Sequence, residues 1–197
     1  MFVLGLTGSL AMGKSTVAAM FAAEGAAIFD ADRAVHDLYG GAAAAPIEAA
    51  FPGTVRNGVV DRALLGKRVA GDAAALARLE AVVHPLVHAI EDAFRARAAA
   101  AGRRVAVLDI PLLLETHGVS RVDAVVVVTA TPEIQRARMM NRKGMTDEVA
   151  TALLARQMSP TEKRARAHFI IDTSGEFSAT RKQVGDVLRA VAGRAAG

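Results

Sequence analysis

The chain has 197 residues, 52% of them apolar and 22% charged, the ordinary composition of a soluble globular protein with enough length to bury one substantial core. It has no cysteine, which excludes disulfides, zinc–thiolate sites and a cysteine nucleophile, and no uninterrupted apolar run approaches the roughly 20 residues that span a bilayer. A formal charge of +4 and a pI near 10 suit polyanionic small substrates better than nucleic acid, because the arginines are scattered and no basic patch is interleaved with aromatics.

Phe2 to Leu6 reads as a short buried strand, and the stretch from Val17 to Ala23 as a helix. Between them Gly8-Ser9-Leu10-Ala11-Met12-Gly13-Lys14-Ser15, followed by Thr16, satisfies the phosphate-binding pattern G-x-x-x-x-G-K-[ST] at every fixed position. Gly8 and Gly13 are expected to permit backbone angles that a Cβ opposes, so that successive N–H groups line an anion site at the helix N-terminus. Lys14 is the point charge for β- and γ-phosphates, and the Ser15 hydroxyl is the expected Mg²⁺ ligand. A glycine-containing turn before an ordinary helix would not require eight matching residues.

Gly25 stops the first helix, and Ala26 to Phe29 reads as a second strand ending in Asp30-Ala31-Asp32. At the carboxyl end of a parallel strand this pair is expected at the ligand edge, both side chains on one face if the backbone stays extended. If a helix begins there instead, one aspartate caps it. From Ala31 to about Gly102 the chain reads almost wholly helical, broken at Gly40-Gly41, Pro52-Gly53 and Asn57-Gly58. Within this stretch His84-Pro85 is expected to interrupt the helix, with His84 either a substrate contact or a helix-junction residue.

Val105 to Asp109 is an apolar strand ending in a carboxylate suited to Mg²⁺, directly or through water. Ile110 to Glu115 turns away and packs near that site, with Glu115 open between a surface charge and a support for neighbouring groups. Ala124 to Thr129, β-branched and unbroken, is expected at the sheet's centre. Thr131-Pro132-Glu133 starts a helix through Arg142 that puts Arg138 and Arg142 on one face; a second helix runs from Thr146 to Gln157. Arginines at a hinge between helices suit a lid over a transferring phosphoryl group, and a solvated basic face is the alternative. Ser159-Pro160-Thr161-Glu162 is a capping box; His168 to Asp172 is the last strand, followed by the Thr173-Ser174-Gly175 loop and a closing helix from Ser178 to Val191.

With these residues the sequence resembles the dephospho-CoA kinase family over essentially its full length. The resemblance is carried by Gly8 to Thr16, Asp30-Ala31-Asp32, Leu79 through His84-Pro85, Leu108-Asp109-Ile110-Pro111-Leu112-Leu113-Leu114-Glu115, and the segment from Gln135 through Arg138 and Arg142 to Gln157. It implies an α/β fold of the P-loop kinase type, a parallel sheet flanked by helices. The core would be about 1–32, 103–135 and 168–197, with an acceptor-binding helical insertion at about 33–102 and a lid at about 136–167.

The activity implied is transfer of the ATP γ-phosphate to the ribose 3′-hydroxyl of dephospho-CoA, with ATP and Mg²⁺ as cofactors. By the same resemblance Asp32 is the general base, with Lys14, Arg138 and Arg142 also catalytic. Gly8, Ala11, Met12, Gly13, Lys14, Ser15 and Thr16 bind the nucleotide; Asp30, His84 and Leu112 bind the acceptor; Ser15 and Asp109 bind the metal. A cytoplasmic monomer or small homo-oligomer with no nucleic-acid or membrane partner is implied. Two departures from the family pattern stand out: Met12, expected to reshape the rim of the phosphate loop, and the final loop Ile171-Asp172-Thr173-Ser174-Gly175, which lacks the asparagine common there and leaves the adenine contacts open.

Overall fold

The computed structural model describes residues 1–155 and 157–193. Positions 156 and 194–197, which fall within the expected lid and core ranges, lie outside the described residues. The chain divides into two compact units: the first comprises Met1–Phe29 and the chain from Ala98 onward, the second Asp30–Arg97.

The first unit is built on a five-stranded parallel sheet in the order β2-β5-β1-β6-β7. Its strands are β1 (Phe2–Gly8), β2 (Ala27–Asp30), β5 (Val105–Asp109), β6 (Ala124–Thr129) and β7 (Phe169–Asp172). The expectation for the sheet's middle is corrected: β1 occupies it, and β6 lies next to it. Both strands are buried at every position, which is why each reads as a continuous apolar run. The register sets Leu6 beside Asp109 and Gly8 beside Val128, so β1 and β5 deliver their carboxyl-terminal residues to one edge of the sheet. Helix α1 (Lys14–Ala23) and helix α9 (Phe177–Ala192) pack Val17, Phe21, Val184 and Val187 against Leu4, Leu6 and Val126. The segment between β6 and β7 holds α6 (Pro132–Met140), α7 (Asp147–Leu154) and α8 (Pro160–Ala165).

The second unit is not wholly helical. It contains α2 (Ala31–Tyr39), α3 (Ala44–Ala50), α4 (Arg62–Val69) and most of α5 (Ala73–Ala100), but also a small antiparallel hairpin of β3 (Val55–Arg56) and β4 (Val59–Val60). The hairpin turns at Asn57 (φ 51°) and Gly58 (φ 77°), the left-handed pair that matches the twist of flanking strands. Glu48 accepts from the backbone N–H groups of Gly53, Thr54 and Val55, which lowers its pKa.

Helix α5 runs straight through Pro85, which corrects the expected interruption at His84-Pro85. Proline removes the bond to the Ala81 carbonyl, and Ala81, His84 and Pro85 are all exposed, so water can take the donor's place. Alanine raises the mean hydropathy of α5 to 1.3 over its most apolar window, long and apolar enough by length and composition to cross a membrane although Arg78, Glu80 and His84 interrupt its apolar run. Its seam instead faces protein: Ala75 and Val83 are buried, and Leu79, Val82, Leu86, Val87 and Ile90 pack with Leu38, Ile47 and Phe51.

Candidate active site

The phosphate loop leaves β1 at Gly8. Its φ is not what requires glycine there; a Cβ would lie 2.8 Å from the Val128 carbonyl oxygen of the neighbouring strand. The chain then turns, with Met12 N–H donating to Ser9 C=O at 3.2 Å. Ala11 sits in the left-handed region at φ 63°, a conformation that costs an L-residue about 1–2 kcal/mol, and Gly13 follows at φ 89°. Gly13 is the N-cap of α1 and offers no side-chain cap, and the first turn carries no acidic residue. The first N–H groups and the positive end of the helix dipole are therefore left to an anion, with no acidic residue in their own first turn to compete.

Met12 does not reshape a rim. It is 3% exposed, packs in the core, and its sulfur accepts from Ala130 N–H at 3.0 Å, so its bulk anchors the loop from below. Its carbonyl accepts from the Thr173 hydroxyl at 2.8 Å. Thr173 in turn accepts from Arg138 Nη1 through the hydroxyl and from Nη2 through its carbonyl, both at 2.8 Å. Thr173 thus joins the ends of β6 and β7 to the loop and fills the space beside Gly13, where a Cβ would meet its hydroxyl at 3.1 Å.

Lys14 forms an ion pair with Asp109, which is 6% exposed at the end of β5. The pair keeps the ammonium at the carboxyl edge of the sheet and compensates a carboxylate whose burial alone would be costly. Ser15 and Thr16 are exposed on the first turn of α1. Beyond Asp109, Thr7 donates to the Pro111 carbonyl at 2.9 Å and fixes the turn that carries Leu112, which is exposed.

Of the two alternatives for Glu115, the structure shows the support for neighbouring groups. Glu115 accepts from Met158 N–H at 3.0 Å and pairs at 2.8 Å with Lys163, whose side chain is 1% exposed. The Ser159–Glu162 capping box starts α8 and aims Lys163 inward. The Ser159 hydroxyl and N–H hold the Glu162 carboxyl below its ordinary range.

Helix α6 ends at Met140 with Asn141 as its C-cap, so Arg142 lies beyond it and does not share a helical face with Arg138. The two arginines differ accordingly: Arg138 is fastened to Thr173, whereas Arg142 is exposed. Arg136 reaches Asp147 at 2.9 Å, spanning the connection between α6 and α7.

In the second unit Asp30 is the N-cap of α2 and accepts from Arg33 N–H at 2.9 Å. Helix starts at Ala31, so the extended alternation expected for the two aspartates does not hold. Asp32 occupies the exposed first turn of α2. His84 is exposed on α5 and stacks on His88 with ring centroids 6.1 Å apart.

Sequence reasoning missed the side chains that brace this site: Gln135, Gln157, Thr173 and Lys163. Gln135 Nε2 donates to the Leu10 carbonyl at 2.8 Å, and Gln157 Oε1 accepts from Leu10 N–H at 3.1 Å. The signal available was Gln135 itself, a polar residue at a position that α6 buries.

Comparison with known proteins shows the family and the fold. The family model described as dephospho-CoA kinase matches residues 2–179. A dephospho-CoA kinase of Mesorhizobium japonicum is 58% identical over 194 residues, covering 98% of each chain, and one of Brucella melitensis is 53% identical over 196 residues, covering 100% of this chain and 98% of its own. A solved protein of Thermus thermophilus superposes with a TM-score of 0.85 at 31% identity, covering 100% of this chain and 98% of its own. A shikimate kinase of Bacteroides thetaiotaomicron, at 13% identity and a TM-score of 0.54, shares the fold alone.

Proposed function

The chain belongs to the dephospho-CoA kinase family and is an ATP-dependent phosphotransferase that makes coenzyme A from dephospho-CoA, and from that premise we propose how its residues divide the work. Phosphoryl transfer asks little covalent chemistry of a protein; positioning and charge neutralisation dominate. The loop from Gly8 to Thr16, with Ala11, Met12 and Gly13 shaping its backbone, binds the nucleotide phosphates. Lys14 neutralises the β- and γ-phosphates by exchanging its Asp109 carboxylate for phosphate oxygens. Arg142 supplies further positive charge to the transferring group, and Arg138 acts beside it while bracing Thr173.

Ser15 and Asp109 suit a Mg²⁺ ion. Both offer hard oxygen donors, and among the described residues no cluster of three or more His, Cys, Asp or Glu side chains forms a cage. Mg²⁺ is commonly held by one or two protein oxygens together with substrate phosphates and water. When bound, the ion would neutralise charge developing between the β- and γ-phosphates. Asp109, once released by Lys14, becomes available to it.

Asp32 is the general base for the ribose 3′-hydroxyl, a role supported by its place just past the carboxyl end of β2 and by the resemblance carried by Asp30-Ala31-Asp32. Asp30, His84 and Leu112 contribute to acceptor binding, with Asp30 also setting the start of α2. The second unit is the acceptor-binding insertion and the segment from α6 to α8 the lid. The enzyme works in the cytoplasm as a monomer or small homo-oligomer.

The observation that carries the donor half of this reading is the Lys14–Asp109 ion pair at the N-terminus of an uncapped α1. ATP titrations with and without Mg²⁺ test it. Asp109→Asn is expected to lose most of the Mg²⁺-dependent gain in ATP affinity; retention of the full gain would remove Asp109 from the metal site.

A further inference from the structure

Leu10, within the phosphate loop, has both of its peptide groups bonded to side chains. Gln157 accepts its N–H and Gln135 donates to its carbonyl. The backbone leaves each amide only one orientation: an N–H must meet Oε1 and a carbonyl must meet Nε2. The two glutamines flank the α6–α7 segment, one on α6 and the other following α7. Both ends of that segment therefore grip one residue, one at its N–H and the other at its carbonyl.

The grip falls where the loop is strained. The Leu10 carbonyl belongs to the peptide plane whose rotation sets φ of Ala11, the non-glycine residue at 63°. Such a conformation persists only where its surroundings over-determine it. Met12 is fixed one residue further on by Thr173 and by its own buried sulfur contact, so the clamp on Leu10 secures the half of the loop that these do not reach.

We propose that Gln135 and Gln157 are positioning residues that hold the phosphate loop in its nucleotide-ready form and so set ATP affinity. This rests on the reading of Gly8 to Thr16 as the ATP cradle. Neither side chain touches the reacting atoms; both act through Leu10. The two hydrogen bonds have opposite polarity, which gives the proposal a signature that general loss of packing would not reproduce. A glutamate can replace Gln157, since a carboxylate oxygen still accepts the Leu10 N–H, but it cannot replace Gln135, which must donate.

The test measures ATP Kd by calorimetry, with KM for ATP and for dephospho-CoA, in Gln157→Ala, Gln157→Glu and Gln135→Glu, with thermal melting alongside. Gln157→Ala is expected to weaken ATP binding about fivefold to tenfold, the effect of one lost hydrogen bond, with KM for dephospho-CoA unchanged. Gln157→Glu should recover most of that loss, and Gln135→Glu should lose tenfold or more. Gln135 is buried, so if its variant melts early the half-buried Gln157 pair decides the matter. Equal losses in Gln157→Ala and Gln157→Glu, or an ATP Kd within twofold of wild type in Gln157→Ala, would overturn the proposal. ATP binding needs no turnover, so failure of the transfer reading would show separately, as a wild type that does not phosphorylate dephospho-CoA.

Discussion

The two units solve different problems with different means. In the first, polar side chains are taken out of water and used as fixed braces: Thr7, Asp109, Gln135, Lys163 and Thr173 are all buried, and each holds a loop at or near the sheet's carboxyl edge. In the second, the polar residues of interest, Asp30, Asp32 and His84, are exposed on helices that are packed by an aliphatic seam. On the proposed reading the donor phosphates meet a loop that is braced in advance, with the Lys14–Asp109 pair exchanged on binding. On the same reading the acceptor carboxylate, Asp32, stands exposed on a helix's first turn.

That contrast is broken most sharply by substitution of the two charged groups that stand for the two halves. Asp32→Asn is expected to lower kcat about a thousandfold while leaving KM for both substrates within a few-fold, because a general base acts only as the proton leaves. Equal turnover in variant and wild type would remove the assignment. Lys14→Ala should cost about a hundredfold in kcat/KM for ATP, expressed in both affinity and rate, and a loss confined to dephospho-CoA would contradict it. Arg142→Ala is expected to reduce kcat about tenfold with little change in ATP Kd; a pure affinity effect would make it a ground-state clamp.

Stability sharpens the same contrast. Lys163→Met strands the mostly buried Glu115 carboxylate and should destabilise by about 3 kcal/mol, with Glu115→Gln restoring part of that loss in the double variant, since its carbonyl oxygen still accepts the Met158 N–H. Denaturant melts of the four proteins read this directly. The smallest effect belongs to the second unit. Glu48 has a folded pKa below its ordinary 4.5, chiefly because the Gly53 and Val55 N–H groups bond its charged form. Its contribution is fully present above 4.5 and is lost as pH falls through the lowered folded value. Glu48→Gln should therefore flatten the acid limb of the stability profile and leave the region near pH 7 with the same slope.

Much of the first unit was legible because its signals are local and redundant. The phosphate-loop spacing, the unbroken Val125 to Val128 run and the Ser159–Glu162 box each name their own structure. The rest depends on tertiary context. Pro85 reads as a break, yet with Ala81 and Pro85 both exposed the helix α5 continues. Asn57-Gly58 reads as a gap between helices, although Asn-Gly is a strong hairpin signal and here turns β3 into β4. The motif does not reveal which way its variable residues face, so nothing in the spacing shows that Met12 is buried. Gln135, Gln157 and Thr173 stayed hidden for a related reason: they act on Leu10 and Met12 across separations of more than a hundred residues, which no spacing within a motif encodes.

The central claim is that a preorganised phosphate cradle delivers the ATP γ-phosphate to a ribose hydroxyl of dephospho-CoA. It is tested most directly by incubating the protein with ATP, Mg²⁺ and either dephospho-CoA or a nucleoside monophosphate, and identifying products by phosphorus NMR. The account predicts one ADP and one 3′-phosphomonoester per turnover with dephospho-CoA, and negligible transfer to the nucleotide. Phosphorylation of the nucleoside monophosphate with none of dephospho-CoA would contradict it.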